Sequence, residues 1–169
     1  VTLVTGKTSL TPPMFVNTIP VISAKDMYEA VTSRSQDMDI IIKAAAVADY
    51  RPASVSDEKM KKSDQDLSIA LERTDDILQY LGTHKPEHQF LCGFSMETQN
   101  MLENSRKKLE KKHLDMIVAN NLKEKGAGFE GDTNIVTMIT PDSVTELELM
   151  SKDEVAFRLI DQILTLRNK

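Results

Sequence analysis

With 169 residues the chain is long enough for one domain with a sizeable core. Its net charge of −5 excludes nucleic-acid binding driven by overall charge. One cysteine, Cys92, excludes internal disulfides and thiolate zinc clusters and fits a reducing cytoplasm. No apolar run approaches the ~20 residues needed to span a bilayer, so no membrane role is expected.

Val1–Thr5 reads as a strand ended by Gly6. The chain opens already inside this apolar run, so an earlier element is expected to be missing. Residues 7–18 carry Pro12 and Pro13 and read as a loop, and Ile19–Ile22 as a short strand. Ser23 with Asp26 approximates a capping box. It opens a helix whose apolar face is Met27, Ala30 and Val31.

The central strand covers roughly residues 38–45. Its β-branched side chains crowd a helix turn but suit a pleated surface. It runs into Lys43-Ala44-Ala45-Ala46-Val47-Ala48-Asp49-Tyr50-Arg51-Pro52, a platform of small residues with Asp49 at its lip. Small side chains let a flat ligand approach the backbone, and Pro52 stops any continuation. Ligands of open α/β sheets bind outside the carboxyl ends of the strands. Tight packing, with Asp49 a solvated cap, explains the same stretch without a ligand.

Residues 57–66 are almost wholly polar and read as a mobile loop bearing Lys59, Lys61 and Lys62. Leu67–Leu71 alternates as a strand. Thr74 can cap a short helix with Asp75 and Asp76 in its first turn, where carboxylates suit the helix dipole. Gln89–Phe94 is a further strand. Glu97–Lys112 reads as a helix with its acid first and Lys107, Lys108, Lys111 and Lys112 last. Lys108 and Lys112 stand one turn apart, so both ammonium groups can reach one polyanion; solvated charge is the plainer explanation of both lysine groups. Asp115–Ala119 is a strand ending in Asn120 and Asn121. Two strand-like runs, 133–140 and 144–149, flank Pro141-Asp142-Ser143 and signal a hairpin. Ser151 and Glu154 form a capping box for a last helix with apolar residues at 155, 156, 159, 160, 163 and 166.

The stretch Gly126-Ala127-Gly128-Phe129-Glu130-Gly131 matches a dinucleotide fingerprint in letters only. That motif works by opening a helix whose N-terminus holds a pyrophosphate, and here a strand follows. A flexible loop is the better reading. No Tyr-x-x-x-Lys pair occurs, and no Ser/His/Asp arrangement stands out. His84 and His88, placed in one polar loop, do not make a metal site, and no metal-ligating residues are assigned.

Five stretches in register resemble the bacterial phosphopantothenate–cysteine ligases, usually the C-terminal half of a two-enzyme polypeptide of coenzyme A synthesis. They are Ala45–Arg51 followed by Lys59-Met60-Lys61-Lys62, Gly93–Thr98, Asp115–Asn120, and Gly128-Phe129 with Asp132 and Asn134. The resemblance spans essentially the whole chain. It implies a single ligase domain over 1–169 that lacks its first strand, glycine-rich turn and following helix. It also implies a Rossmann-like α/β three-layer sandwich, with a mostly parallel central sheet and a C-terminal β-hairpin plus helix.

The activity implied is CTP-dependent ligation of 4'-phosphopantothenate to cysteine through an acyl-cytidylate, with magnesium travelling on the triphosphate. FMN belongs to the usual fused decarboxylase domain and not here. By position, Ala44, Ala45 and Asp49 correspond to nucleotide contacts, and Lys59 to the essential lysine of a flexible flap. Asp75, Asp76, Ile77 and Leu78 fall at the next nucleotide-binding turn, Phe94 in the pocket wall, and Lys108 and Lys112 at the triphosphate. The family usually has proline where Asp75 stands. Its catalytic asparagine has no counterpart here, since Asn17, Asn120 and Asn121 do not match it, and the chain alone is not expected to complete the ligation. A homodimer is implied, in the cytoplasm. The competing readings are a non-catalytic nucleotide-binding or dimerising Rossmann module and the flavin-dependent decarboxylase itself.

Overall fold

A computed structural model describes residues 1–56, 58–59, 68–97, 99–121 and 131–168, with the backbone alone described at Asn121. Most of the expected mobile stretch 57–66, including Lys61 and Lys62, lies outside the described residues, as do Leu67, Thr98 and the run 126–130.

In chain order the elements begin with β1 (Thr2–Thr5), β2 (Asn17–Pro20), α1 (Ala24–Thr32), β3 (Ile40–Lys43), β4 (Tyr50–Pro52) and β5 (Leu71–Arg73). Then come α2 (Ile77–His84), β6 (Phe90–Glu97), α3 (Met101–Lys111) and β7 (Met116–Asn121). The chain ends with β8 (Thr133–Asn134), β9 (Val136–Ile139), β10 (Val144–Glu146), β11 (Met150–Ser151) and α4 (Lys152–Arg167). A 3₁₀ turn, Ser35–Asp37, precedes β3. Among the described residues no helix is long and apolar enough to cross a membrane.

The chain divides into two compact units, Val1–Ser33 with Ala46–Ile77, and Arg34–Ala45 with Leu78–Lys169. In the first, β1 and β2 pair in parallel from Thr2↔Asn17 to Thr5↔Pro20. The second strand thus starts two residues before its sequence expectation, because its register follows β1 rather than the apolar pair Val21-Ile22. The capping box of α1 forms as expected. Ser23 Oγ accepts from Asp26 N at 3.1 Å, and Asp26 Oδ2 accepts from Ser23 N at 2.8 Å. The Ser23 N–H first, then the Ser23 hydroxyl and the Ile22 N–H, hold the Asp26 carboxyl below the usual carboxylate range.

The antiparallel pair β4–β5 corrects the reading of this region, since Pro52 ends a strand and Leu71 begins one. Every residue of the pair is exposed, so no alternation of burial marks it. Main-chain bonding and the Arg51–Glu72 ion pair at 2.8 Å define it instead.

The second unit holds the core. Its sheet runs β10-β9-β7-β6-β3, with β3, β6 and β7 mutually parallel and β9 antiparallel to both neighbours. Four of the five strands therefore run the same way, the mostly parallel sheet expected. Strand β6 is buried along most of its length, which is why its apolar residues run on without alternating. Phe90, Cys92, Met116, Val118, Val136 and Met138 form one face, covered by Val155, Leu159 and Ile163 of α4. On the other face Ser95 hydrogen-bonds Ser105 of α3 at 2.9 Å, and Gly93 packs under Leu78 of α2 and Leu114. This unit has the expected three layers, α4, sheet, and α2 with α3.

The hairpin β9–β10 turns at Thr140–Ser143, where Ser143 N donates to Thr140 Oγ1 at 3.0 Å. Beyond it β8 pairs with β11, and Glu148 and Leu149 together oppose the single Ile135. Such a bulge bends the ribbon and breaks both expected strands. Ser151 caps α4 by accepting from Glu154 N at 3.1 Å, while the Glu154 carboxylate pairs with Arg158.

Candidate functional site

The second unit places polar groups where its parallel strands end. Strand β3 pairs with β6 only as far as Lys43↔Gly93. Ala44 and Ala45 follow, exposed, and Lys43 Nζ reaches forward to the Ala45 carbonyl at 2.8 Å. Phe94 is the first residue of β6 past that pairing, and it is half-buried against the α4 side of the core. Strand β6 continues to Glu97, opposite Asn121 of β7. This corrects the sequence reading, which started a helix at Glu97. The turn after the strand instead puts Asn100 in the left-handed region at φ 49°, and the helix begins at Met101.

Glu97 is the centre of this edge. Its Oε1 accepts from Lys108 Nζ at 2.6 Å, and its Oε2 accepts from Asn104 Nδ2 at 3.2 Å. Asn104 and Lys108 lie one turn apart on α3, so one carboxylate grips one helix face. Asn104 also donates to the Gln99 carbonyl at 3.1 Å. Lys112 closes the helix one turn later, its N–H bonded to the Lys108 carbonyl at 3.0 Å. The expected turn spacing of Lys108 and Lys112 is present. Lys107, by contrast, pairs with Glu103 on its own helix in full solvent. At the end of β7, Asn120 Oδ1 accepts from Asn134 Nδ2 at 3.1 Å, and Asn134 Oδ1 accepts from Ile135 N at 3.0 Å.

The first unit carries Asp49, Lys59, Asp75, Asp76 and Ile77. The Asp49 side chain is exposed, and its carbonyl accepts from Thr74 N at 3.0 Å. Thr74 Oγ1 donates to the Ala48 carbonyl at 2.6 Å. The threonine is therefore spent on tying the platform to the strand β5, and it is not the helix cap expected of it. Helix α2 begins only at Ile77, so Asp75 and Asp76 precede it, both exposed. Ile77 and Leu78 are buried, and their backbone N–H groups stand in the first helical turn. Lys59 is exposed, beside a local turn in which Ser56 Oγ donates to the Glu58 carbonyl at 2.9 Å.

Two other groups are structural. Cys92 is fully buried, and burial, with the Asp115 charge second, pushes its thiol up to about 12. It is no nucleophile. His84 ends α2 rather than lying in a loop, and it stacks on Tyr80 at 4.1 Å between ring centroids. Among the described residues no group of three or more His, Cys, Asp or Glu is placed to hold a metal.

An open, mostly parallel sheet with helices on both faces defines a Rossmann-like α/β domain, a class whose ligands gather beyond the carboxyl ends of the parallel strands. Residues 1–166 match the family described as the DNA/pantothenate metabolism flavoprotein C-terminal domain, and the chain belongs to that family. It is 49% identical over 168 residues to the coenzyme A biosynthesis bifunctional protein CoaBC of Bacillus subtilis (strain 168), covering 98% of this chain and 41% of that protein. It is 44% identical, over 98% of this chain and 47% of the relative, to a cysteine/cysteine sulfinic acid decarboxylase from an unknown prokaryotic organism. The chain thus spans less than half the length of these relatives.

A crystal structure of the C-terminal domain of CoaBC matches with a TM-score of 0.80 at 46% identity, covering 99% of this chain and 77% of that one. A Cab2 mutant in complex with phosphopantothenate-cysteine matches with a TM-score of 0.70 at 16% identity, over 90% and 53% of the two chains; this shows the shared fold alone.

Sequence reasoning missed Glu97 and Asn104 as members of the carboxyl edge. The signal was the uninterrupted run Phe90–Met96, which carries the strand up to the acid.

Proposed function

We propose that this chain is the ligase part of a coenzyme A biosynthesis enzyme and joins 4'-phosphopantothenate to cysteine at the expense of CTP. The observation that carries the reading is the 49% identity to CoaBC across 98% of the chain. In this reading a carboxylate oxygen of 4'-phosphopantothenate attacks the α-phosphorus of CTP. The bond from that phosphorus to the bridging oxygen breaks, and pyrophosphate leaves. The cysteine amine then attacks the acyl carbonyl and loses a proton, the acyl carbon–oxygen bond of the mixed anhydride breaks, and CMP leaves with its electron pair. Such chemistry is mostly positioning and charge neutralisation.

The exposed backbone of Ala44 and Ala45 and the Asp49 carboxylate would meet the nucleoside. The turn Asp75–Leu78 would offer main-chain donors to it, and Phe94 an apolar wall. Lys59, Lys108 and Lys112 would face phosphate. Magnesium in this reading enters and leaves with the triphosphate. A homodimer fits the apolar side chains that α4 leaves exposed, Phe157, Ile160 and Leu164.

The test is Lys59→Gln in the complete ligase polypeptide. CTP binding should stay near wild type by calorimetry. Pyrophosphate release with 4'-phosphopantothenate should fall by about 10²–10³, the usual loss for one charge contact made chiefly in the transition state. Near-normal release would make Lys59 ordinary solvated charge. CTP binding with no release in the wild type would establish a non-catalytic nucleotide module instead. The decarboxylase relative motivates a second reading; a bound flavin absorbance and carbon dioxide release without CTP would favour it.

A further inference from the structure

The lysine run of α3 contains two different kinds of ion pair. Lys107 meets Glu103 four residues away, and both side chains are more than 60% exposed. That is a solvated surface pair of little consequence. Lys108 instead crosses to Glu97, eleven residues back on another element, whose side chain is only 12% exposed while the lysine remains 46% exposed. A carboxylate removed from water at the carboxyl edge of a parallel strand, with both oxygens taken by one helix face, is an unusual place to spend a charge. Stability alone would favour an apolar side chain there. The ammonium has three donors and Glu97 Oε1 takes one. Two donors remain, on a side chain that is 46% exposed.

We infer that Glu97 is a positioning residue. Held by Asn104, it fixes the Lys108 ammonium at the carboxyl edge of β6 so that the remaining donors meet the phosphates of a nucleoside triphosphate. The inference rests on the reading of Lys108 as a triphosphate ligand and adds the group that aims it. The physical gain is conformational. A free lysine has four rotatable bonds to immobilise when it grips phosphate, whereas one already tethered through its own head group has most of that ordering done before the ligand arrives. Glu97 carries like charge to the phosphates, so its presence is favourable only while the ammonium stands between them.

The experiment is a set of binding isotherms on the complete ligase with CTP, inorganic tripolyphosphate and CMP, for wild type, Glu97→Gln, Glu97→Asp and Asn104→Ala, each repeated in a Lys108→Gln background. Glu97→Gln should weaken CTP and tripolyphosphate by about three- to tenfold, the cost of ordering one long side chain, and leave CMP unchanged. Glu97→Asp should not rescue, being too short to reach. Asn104→Ala should weaken both triphosphates by a smaller factor. All three losses should vanish when Lys108 is glutamine. Unchanged or tighter CTP binding by Glu97→Gln would overturn the inference, because the carboxylate would then be a repulsive neighbour. Equal weakening of CMP, or losses that persist without Lys108, would overturn it as a general structural effect. A wild type that binds neither CTP nor tripolyphosphate would overturn the ligase reading itself, and this proposal with it.

Discussion

The two edges of the central sheet each carry a lysine–carboxylate pair, and the pairs are built for different ends. At the amino edge, Lys85 Nζ meets both oxygens of Asp115 at 2.7 and 2.6 Å and the Gln89 carbonyl at 3.2 Å. Asp115 Oδ2 also accepts from Leu91 N at 2.7 Å. Both side chains are largely covered, 18% and 32% exposed, and the pair closes on itself while tying the starts of β6 and β7. At the carboxyl edge the Lys108–Glu97 pair covers its acid but leaves its cation half in water. A closed pair is a fastener. A pair whose cation keeps spare donors in solvent is an offer to an anion. The sheet's polarity decides which edge makes that offer, because bound ligands gather beyond the carboxyl ends.

The largest expected effect tests the fastener. Asp115→Ala leaves the Lys85 ammonium only the Gln89 carbonyl and takes the acceptor from the Leu91 N–H. It should lower unfolding free energy by about 3 kcal/mol, as losing one partner of a covered ion pair does, with CTP affinity unchanged at temperatures where the variant is folded. A stability loss under about 1 kcal/mol would show the pair to be no more than surface charge.

Gly82→Ala comes next and joins the two concerns. A Cβ at Gly82 would lie 1.8 Å from the carbonyl oxygen of Lys112, a backbone atom that cannot swing away. The helix end bearing Lys112 must shift, at a cost of about 1–3 kcal/mol, and CTP binding should weaken together with stability. Full affinity in a destabilised variant would separate the helix end from the site.

The smallest effect is the control, in the first unit. Its Ser23 and Ile22 donors hold the Asp26 carboxyl below its ordinary value. A depressed folded-state value adds stability that is fully present above the ordinary carboxylate value and lost as pH falls through the folded one. Asp26→Asn should therefore be slightly less stable than wild type near neutral pH. Denaturant midpoints of the two should converge as pH falls through the depressed folded-state value, with CTP affinity untouched. A gap independent of pH would show that the capping charge contributes nothing.

Much of the second unit was legible because burial writes itself into sequence. Runs such as Leu91–Phe94 and Met116–Ala119 are apolar without break because neighbouring strands and both helical layers cover them. The last hairpin and helix were legible from Pro141-Asp142 and the Ser151 cap. The first unit was harder to read. Strands β4 and β5 are exposed along their whole length, so no pattern of side chains records them. Thr74 looked like a helix cap but gives its hydroxyl to Ala48. Glu97 misled for a related reason: an acid before a lysine-rich helix suits the helix dipole, yet the strand carries it and the helix only reaches back. The proposed ligands Ala44, Ala45 and Asp49 rest on resemblance, since small residues and one acid do not by themselves name a nucleotide.

The most direct test of the ligase reading withholds cysteine. The complete ligase, given CTP and 4'-phosphopantothenate alone, should release one pyrophosphate per site in a single burst and hold an acyl-cytidylate detectable by mass. Cysteine added afterwards should release CMP and yield 4'-phosphopantothenoylcysteine. Pyrophosphate that appears only once cysteine is present, with no acyl-cytidylate before it, would contradict the account.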